Sequence, residues 1–257
     1  RLNVDYERLV YFDPYFLKDK TPVLNPLDAP DKSEQALDIQ AQELARTFSE
    51  LMPEAGLSLQ MQTILKPCIA TLLRIGGKTL VDLQRFMLDD PELLAQGQRS
   101  PQPAHREFFQ QVFTKREYSL TKHSIYTKIQ SLINSHSFYN LTVGPSTIDL
   151  EGAMNEGKIC IFSLAKGQMG TEASDAYGRF LIALIQSAAL KRASLPSYAR
   201  KPVFLFIDEF HNYVSPALET ILSESRKFGL HLILANQNLS QKIPTSLKEA
   251  ILSNTDV

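Results

Sequence analysis

The sequence contains no tryptophan and only two cysteines among its 257 residues. Cys68 and Cys160 lie far apart, each in an apolar context, which predicts small buried side chains rather than a disulfide or a metal site. The five histidines show no ligand spacing. No apolar run approaches the roughly 20 residues that a membrane-spanning helix requires. The composition therefore favours a globular protein without a cysteine- or histidine-based metal centre.

The chain also lacks an excess of positive charge. It has 27 lysines and arginines against 28 aspartates and glutamates, which gives a formal net charge of -1. No global field would attract nucleic acid, so any contact with DNA has to come from local patches or from a ring that concentrates them.

A continuously apolar stretch that ends in two acids is the most informative feature present. Val203 to Ile207 runs directly into Asp208 and Glu209. Such a stretch predicts a strand covered on both faces, and open α/β sheets bind ligands where their strands end. In nucleotide hydrolases this pair is the Walker B motif, with Asp208 ordering Mg²⁺ and Glu209 polarising the attacking water. The alternative is a strand whose final acids are solvated or cap the next helix.

A second strand with a polar tip follows. Residues 218–227 form an amphipathic pattern that Gly229 ends, and residues 230–235 then lead to Asn236-Gln237. An amide at a neighbouring strand tip can bridge the γ-phosphate or the attacking water to the carboxylates. Arg226, in the last turn of the predicted helix, fits two roles equally well: an arginine finger toward another subunit, or a cation stabilised by the helix dipole.

The order of patterns predicts an α/β protein with a parallel sheet and an all-helical insertion. Residues 8–12 form one strand, a proline-rich loop follows, and strands alternate with helices after Gly157. We expect residues 1–32 and 141–257 to form the α/β part, and residues 33–140 an all-alpha domain in which Gly97 to Pro103 is an exposed linker.

Gly76-Gly77-Lys78-Thr79 resembles the end of a phosphate-binding loop. The full motif needs a preceding strand and an earlier glycine, but the residues before it are helical and Leu72 stands at the position of that glycine. The better prediction is that the glycines end one helix and that Thr79, with Asp82, caps the next. No other segment supplies a phosphate loop.

The whole set of segments resembles a known family. The early strand, the helical insertion, ICIFSLAKGQMG, FLFIDEFHNY and ILSESRKFGLHLILANQNLSQ follow one another as in the FtsK–HerA superfamily of hexameric DNA motors, in particular the coupling ATPases of conjugation and type IV secretion. The match is good from about Gly157 to Asp256 and only architectural for the insertion. This resemblance implies a RecA-like (ASCE) nucleotide hydrolase fold.

The resemblance also implies roles and partners. Asp208 would serve Mg²⁺, Glu209 would activate water, Arg226 would reach a neighbouring subunit's ATP, and Gln237 would sense the γ-phosphate. Implied partners are DNA bound without sequence preference, a relaxase or secreted protein, and further copies in a hexamer. A location at the cytosolic face of a membrane is implied too. The sequence departs from the family in having no Walker A loop and no membrane anchor, and we expect both to lie outside these residues.

Four cations in the helical block are candidates for contact with DNA: Lys115, Arg116, Lys122 and Lys128, which lie near Tyr118 and Tyr126. A solvated surface is the favoured explanation of these cations, since they form no block of like charge. Two other functions remain open. One is a HerA-like motor for DNA processing or packaging, and the other is a substrate-recognition module without turnover.

Overall fold

The computed structural model describes residues 5–17, 20–51, 58–236, 247–249 and 251. The chain divides into two compact units. One consists of residues 1–16 and 148–257, and the other of residues 17–147. They are an α/β unit and a helical unit respectively.

The described residues of the α/β unit contain four short parallel strands. Strand β1 (Leu9–Phe12) pairs with β2 (Ile159–Phe162), and β3 (Val203–Ile207) pairs with β4 (Leu230–Leu234). Its helices are α8 (Leu150–Glu156), α9 (Lys166–Met169), α10 (Thr171–Lys191) and α11 (Pro216–Glu224). The predicted strands and their parallel direction are therefore confirmed. Among the described residues, however, each strand has a single partner, so the sheet consists of two separate pairs.

Helix α10 forms the core of this unit. Its interior residues are almost all buried, including Tyr177 and Phe180 at 1% exposure. The Tyr177 ring stacks on Phe12 of β1 with centroids 6.1 Å apart, and Phe12 in turn contacts Phe162 of β2 at 5.4 Å. The connection β2–α10–β3 thus places one face of the strands on a long apolar helix.

The prediction that β3 is covered on both faces was wrong. Phe204 and Phe206 are 58% and 70% exposed, and Ile159 and Ile161 of β2 are 40% and 47% exposed. The alternate residues of these strands are half-buried, except Ile207, which is buried. A continuously apolar strand indicates that both faces are apolar, but it does not indicate that this chain supplies the cover for both.

The helical unit is built from seven helices within the described residues. They are α1 (Glu34–Glu50), α2 (Ser58–Ile75), α3 (Leu80–Met87), α4 (Pro91–Gly97), α5 (Pro103–Gln111), α6 (Ser119–Ile133) and α7 (His136–Thr142). Helix α1 begins at Ser33, whose hydroxyl accepts a hydrogen bond from the Ala36 amide. Helix α2 continues through Pro67. Its Cys68 is fully buried, and burial raises the pKa of that thiol well above its usual range.

Residues Gly97 to Pro103 connect α4 to α5 as predicted, and all of them except Gly97 and Ser100 are exposed. Gly97 is the last residue of α4, and a Cβ there would collide with the Phe109 ring of α5. Ser100 is only 2% exposed. The sequence prediction missed α4, which is seven residues long and has too few apolar positions to show a helical period.

The proline-rich loop, assigned above to the α/β part, packs within the helical unit. Leu24 and Leu27 are buried at 5% and 0% exposure. The Leu24 amide donates to the Leu141 carbonyl at 2.8 Å, and the Thr147 amide donates to the Val23 carbonyl at the same distance. These bonds tie the loop to the end of the insertion, so the structural division falls after residue 16 and after residue 147.

Candidate functional site

The tips of β3 and β4 lie side by side. The parallel register pairs Ile207 with Leu234, and the Ala235 amide donates to the Ile207 carbonyl at 2.9 Å. Beyond the strands, the Phe210 amide donates to the Ala235 carbonyl at 3.3 Å. The acids that follow β3 and the amide that follows β4 are therefore held at one edge, as parallel strands require.

Glu209 adopts a backbone conformation that is unusual for its residue type. Its φ is 49° and its ψ is 45°, which is the left-handed region. Such a conformation costs of order 1–3 kcal/mol and persists only where neighbouring groups hold it in place. Residues of this kind are concentrated at functional sites. Here the Glu209 amide donates to Asp208 Oδ1 at 3.0 Å, and the Glu209 carbonyl accepts from the Asn212 side-chain amide at 3.0 Å. These local bonds hold the turn that carries the two carboxylates.

The turn after Glu209 is seated on α10. Residues Phe210–Tyr213 form one 3₁₀ turn, and Phe210 is 3% exposed. The Tyr213 ring lies against Gly178 so closely that a Cβ there would collide with it. Burial raises the pKa of Tyr213. The sequence thus places a glycine where the helix must accept the ring that fixes the acidic turn.

A cavity of about 890 Å³ runs alongside β2 and β3 for their whole length. Its floor is apolar and is formed by residues of α10, including Leu181 and Ile185. Asp208, Glu209 and Lys166 line its polar end. Lys166 is paired with Asp175 at 2.8 Å. The volume is within the range of small-molecule sites, and the acids stand at its mouth.

The donor set fits a partial site for a magnesium nucleotide. Asp208 is exposed at a strand tip, where a carboxylate can meet the hydration shell of Mg²⁺. The described residues contain no cluster of three or more histidine, cysteine, aspartate or glutamate side chains that would hold a metal by themselves. Walker-type sites do not need one, because phosphate oxygens and water complete the coordination.

The two remaining predicted site residues are Arg226 and Gln237. Arg226 lies in the exposed 3₁₀ turn Ser225–Phe228 that follows α11, and Gly229 then adopts a φ of 78°, as predicted for a helix-ending glycine. Gln237 lies outside the described residues. Asn236, the other residue of the predicted polar tip of β4, lies within the part of the chain that the structure describes.

The candidate DNA-contacting cations differ in exposure. Lys115 and Arg116 are exposed and Lys128 is half-buried. Lys122 is 5% exposed, forms an ion pair with Asp89 and lies 4.7 Å from the centre of the Phe113 ring. Its inclusion was wrong, because a buried, paired ammonium cannot meet a phosphate backbone. The helical period alone does not show which side of α6 faces inward.

His211 was not among the predicted site residues, but it lies between the two strand tips. Its Nδ1 lies 3.3 Å from Glu209 Oε2 and 3.2 Å from Asn236 Oδ1. It therefore contacts both strand tips at once. Its position two residues after the acidic pair was the available signal, but a histidine in a loop is usually solvated.

Comparisons with known proteins agree with the resemblance stated from the sequence. Residues 202–257 match the family model described as the TraM recognition site of TraD and TraG. No curated protein sequence matches the chain.

Solved structures of a plasmid coupling protein share the fold. The unbound bacterial conjugative coupling protein TrwB superimposes with a TM-score of 0.58 at 15% identity, covering 95% of this chain and 54% of that one. TrwB in complex with the non-hydrolysable GTP analogue GDPNP gives 0.55 at 15% identity, and its complex with the ATP analogue ADPNP gives 0.54 at 16%. In both complexes the superposition covers 95% of this chain and 56% of the TrwB chain.

The chain thus spans about half the length of these structures and has their RecA-like fold. The expected likeness to conjugative coupling proteins is confirmed. In the part of the chain that the structure describes, no helix combines the length and the apolarity needed to cross a bilayer.

Proposed function

We propose that this chain is the Walker B part of a coupling ATPase that moves DNA, or a DNA-bound relaxase, into a conjugation or type IV secretion channel. One observation carries the proposal: Asp208, Glu209 and Asn236 are held together at the tips of two parallel strands, by β-pairing and by the bonds of the turn between them. A strand whose terminal acids were only solvated would not need these restraints.

The residues have distinct roles in this proposal. Asp208 holds the water shell of Mg²⁺, Glu209 accepts a proton from the attacking water, and Gln237 senses the γ-phosphate. Bound Mg²⁺ would supply neutralisation of the phosphate charge. Arg226, exposed after α11, is available to a neighbouring subunit, which is the placement that an arginine finger requires.

Assembly and cargo belong to the same proposal. A phosphate-binding loop, which these 257 residues do not contain, has to come from elsewhere in the polypeptide or from a partner. We propose a hexamer at the cytosolic face of a membrane, with DNA bound through its backbone in a salt-dependent manner. Lys115 and Arg116, which are exposed, remain candidates for that contact. Lys128 also remains a candidate, since it is only half-buried. The matched family model supports a TraM-like protein as a further partner of residues 202–257.

The test is Glu209→Gln in the complete protein. This change keeps the size of the side chain and removes the base, so we expect DNA-stimulated ATP hydrolysis to fall by about 10²-fold or more while ATP binding persists. Glu107→Gln, on the exposed surface of α5, is the matched control and should hydrolyse normally. Undiminished hydrolysis by Glu209→Gln would rule out the assigned role.

A further inference from the structure

The acidic turn is attached to the tip of β4 at two points. The first is the main-chain bond from the Phe210 amide to the Ala235 carbonyl, at 3.3 Å. The second is the His211 ring, which reaches Glu209 on one side and Asn236 on the other. The main-chain bond fixes the position of the turn, whereas the ring connects side chains.

The partners of the ring favour one position for its hydrogen. Both contacts involve Nδ1, at 3.3 Å to Glu209 Oε2 and at 3.2 Å to Asn236 Oδ1. An ionised carboxylate can only accept a hydrogen bond, so Nδ1 has to donate. Nδ1 is within hydrogen-bond distance of Asn236 Oδ1 and within ion-pair distance of Glu209 Oε2, so it faces one oxygen from each strand tip.

His211 is well restrained for this task. Its side chain is 21% exposed, and the neighbouring Phe210 is buried. On the other side of the histidine, the Asn212 side chain donates to the Glu209 carbonyl at 3.0 Å. A small movement of the β4 tip would therefore shift Nδ1 and, with it, the carboxylate of Glu209.

We propose that His211 is a positioning residue that sets the orientation of the Glu209 carboxylate according to the position of the β4 tip. This inference rests on the proposed function and adds a coupling between the tip of β4 and the residue that activates water. His211 itself does not touch the reacting atoms. Its removal should impair the chemical step and leave nucleotide binding intact.

The first experiment measures steady-state hydrolysis by the complete protein. For His211→Ala we expect kcat to fall roughly tenfold or more with the KM for ATP within about twofold, as for groups that orient a site residue. His211→Asn should recover most of kcat, since its amide nitrogen stands near the position of Nδ1. His211→Leu fills similar space and should not recover it. His123→Ala, exposed on α6, is the control.

Each outcome either supports or overturns the positioning role of His211. Equal kcat in the Asn and Leu variants, at either the wild-type or the Ala level, would overturn the inference, because hydrogen bonding would then be irrelevant. A double change with Asn236→Ala should cost little more than the larger single loss, whereas fully additive losses would also overturn it. If Glu209→Gln is inactive while His211→Ala is normal, only this inference fails. If Glu209→Gln is fully active, the proposed function fails.

A second experiment needs no nucleotide. Long-range ¹H–¹⁵N spectra of the 257-residue chain distinguish the two neutral histidine tautomers, and His211→Asn identifies the His211 signals among the five histidines. We expect the Nδ1–H tautomer in the wild type and a shift away from it in Glu209→Gln. A wild-type His211 with its hydrogen on Nε2 would contradict the proposed arrangement.

Discussion

Lys122 and Lys115 illustrate at the residue scale how burial changes the meaning of a charge. Both were predicted to contact DNA, and they are seven positions apart. Lys115 is exposed, whereas Lys122 is 5% exposed and paired with Asp89. The aliphatic stem of Lys122 fills core space while its ammonium reaches Asp89 and the Phe113 ring. No feature of the sequence at these positions distinguishes the two roles.

We predict that Lys122→Ala lowers the free energy of unfolding by about 2 kcal/mol. That is less than the roughly 3–5 kcal/mol of a fully buried pair, because Asp89 remains partly in water. Urea denaturation of the 257-residue chain measures it, with Lys115→Ala as the control that should change stability by less than about 0.5 kcal/mol. Equal effects of the two changes would contradict the packing described here.

Glu43 gives a prediction with a defined pH dependence. It is 5% exposed in α1, and burial raises the pKa of its carboxyl above the usual value near 4.5, only partly offset by Arg46 at 3.9 Å. The folded state therefore holds this proton more tightly than the unfolded state. Below the ordinary pKa the carboxyl costs nothing, and the penalty for ionising it develops as pH rises through and above 4.5.

Glu43→Gln removes that penalty, so the variant should be more stable than the wild type at pH 7. The difference should shrink as pH falls toward 4.5, because the wild-type carboxyl is then protonated in both states. Paired urea titrations at several pH values measure the difference. A gain that is the same at every pH would show that ionisation of Glu43 is not its cause.

At the element scale, the start of α3 shows whether Gly76 to Thr79 is a capping motif or a nucleotide-binding motif. Thr79 accepts from the Val81 amide at 3.3 Å, and the Thr79 amide donates to Asp82 at 2.9 Å. Gly76 and Gly77 have positive φ values of 79° and 63°, as the end of α2 requires. The interpretation of Gly76 to Thr79 as a helix boundary is confirmed, since this capping box uses the residues that a phosphate loop would need free.

We therefore expect Thr79→Ala to destabilise the chain by about 1 kcal/mol. Lys78→Ala, which would abolish hydrolysis if Gly76 to Thr79 were a phosphate loop, should leave hydrolysis by the complete protein unchanged. Denaturation and steady-state kinetics check the two statements separately. Loss of nucleotide binding in Lys78→Ala would reverse the assignment.

The strands show what sequence patterns can and cannot supply. The bounds of β3 and β4, their direction and the meeting of their polar tips followed from apolar runs and chain order. The exposure of Phe204 and Phe206 did not, because the pattern records the surroundings that a strand is suited to and not the residues that this chain provides. His211 was missed for a related reason: its role depends on Asn236, 25 positions later.

At the scale of the whole molecule, the helical unit has its own core and its own closing contacts. Residues 17–147 include the loop that carries Leu24 and Leu27 and the bonds that join it to Leu141 and Thr147. The sequence predicted an independent insertion of residues 33–140. It could not show that the preceding loop belongs to it, since prolines mark a loop without indicating where that loop packs.

We predict that a polypeptide of residues 17–147 unfolds cooperatively and that one of residues 33–140 is less stable. The shorter polypeptide loses two fully packed leucines and the loop's hydrogen bonds, which together should cost several kcal/mol, on the order of 2–5 per leucine deleted from a core. Thermal unfolding followed by circular dichroism compares them. Equal midpoints would show that the loop contributes nothing to this core.

The exposed ring of Phe206 lines the cavity beside β2 and β3, in a sequence of 257 residues that contains no tryptophan. Phe206→Trp would accordingly create a single fluorophore at the surface that this chain leaves bare. Its emission should be red-shifted in the 257-residue chain and blue-shifted wherever another segment or subunit covers that surface. In the 257-residue chain, the arrival of such a cover would thus become an optical signal that can be followed in real time.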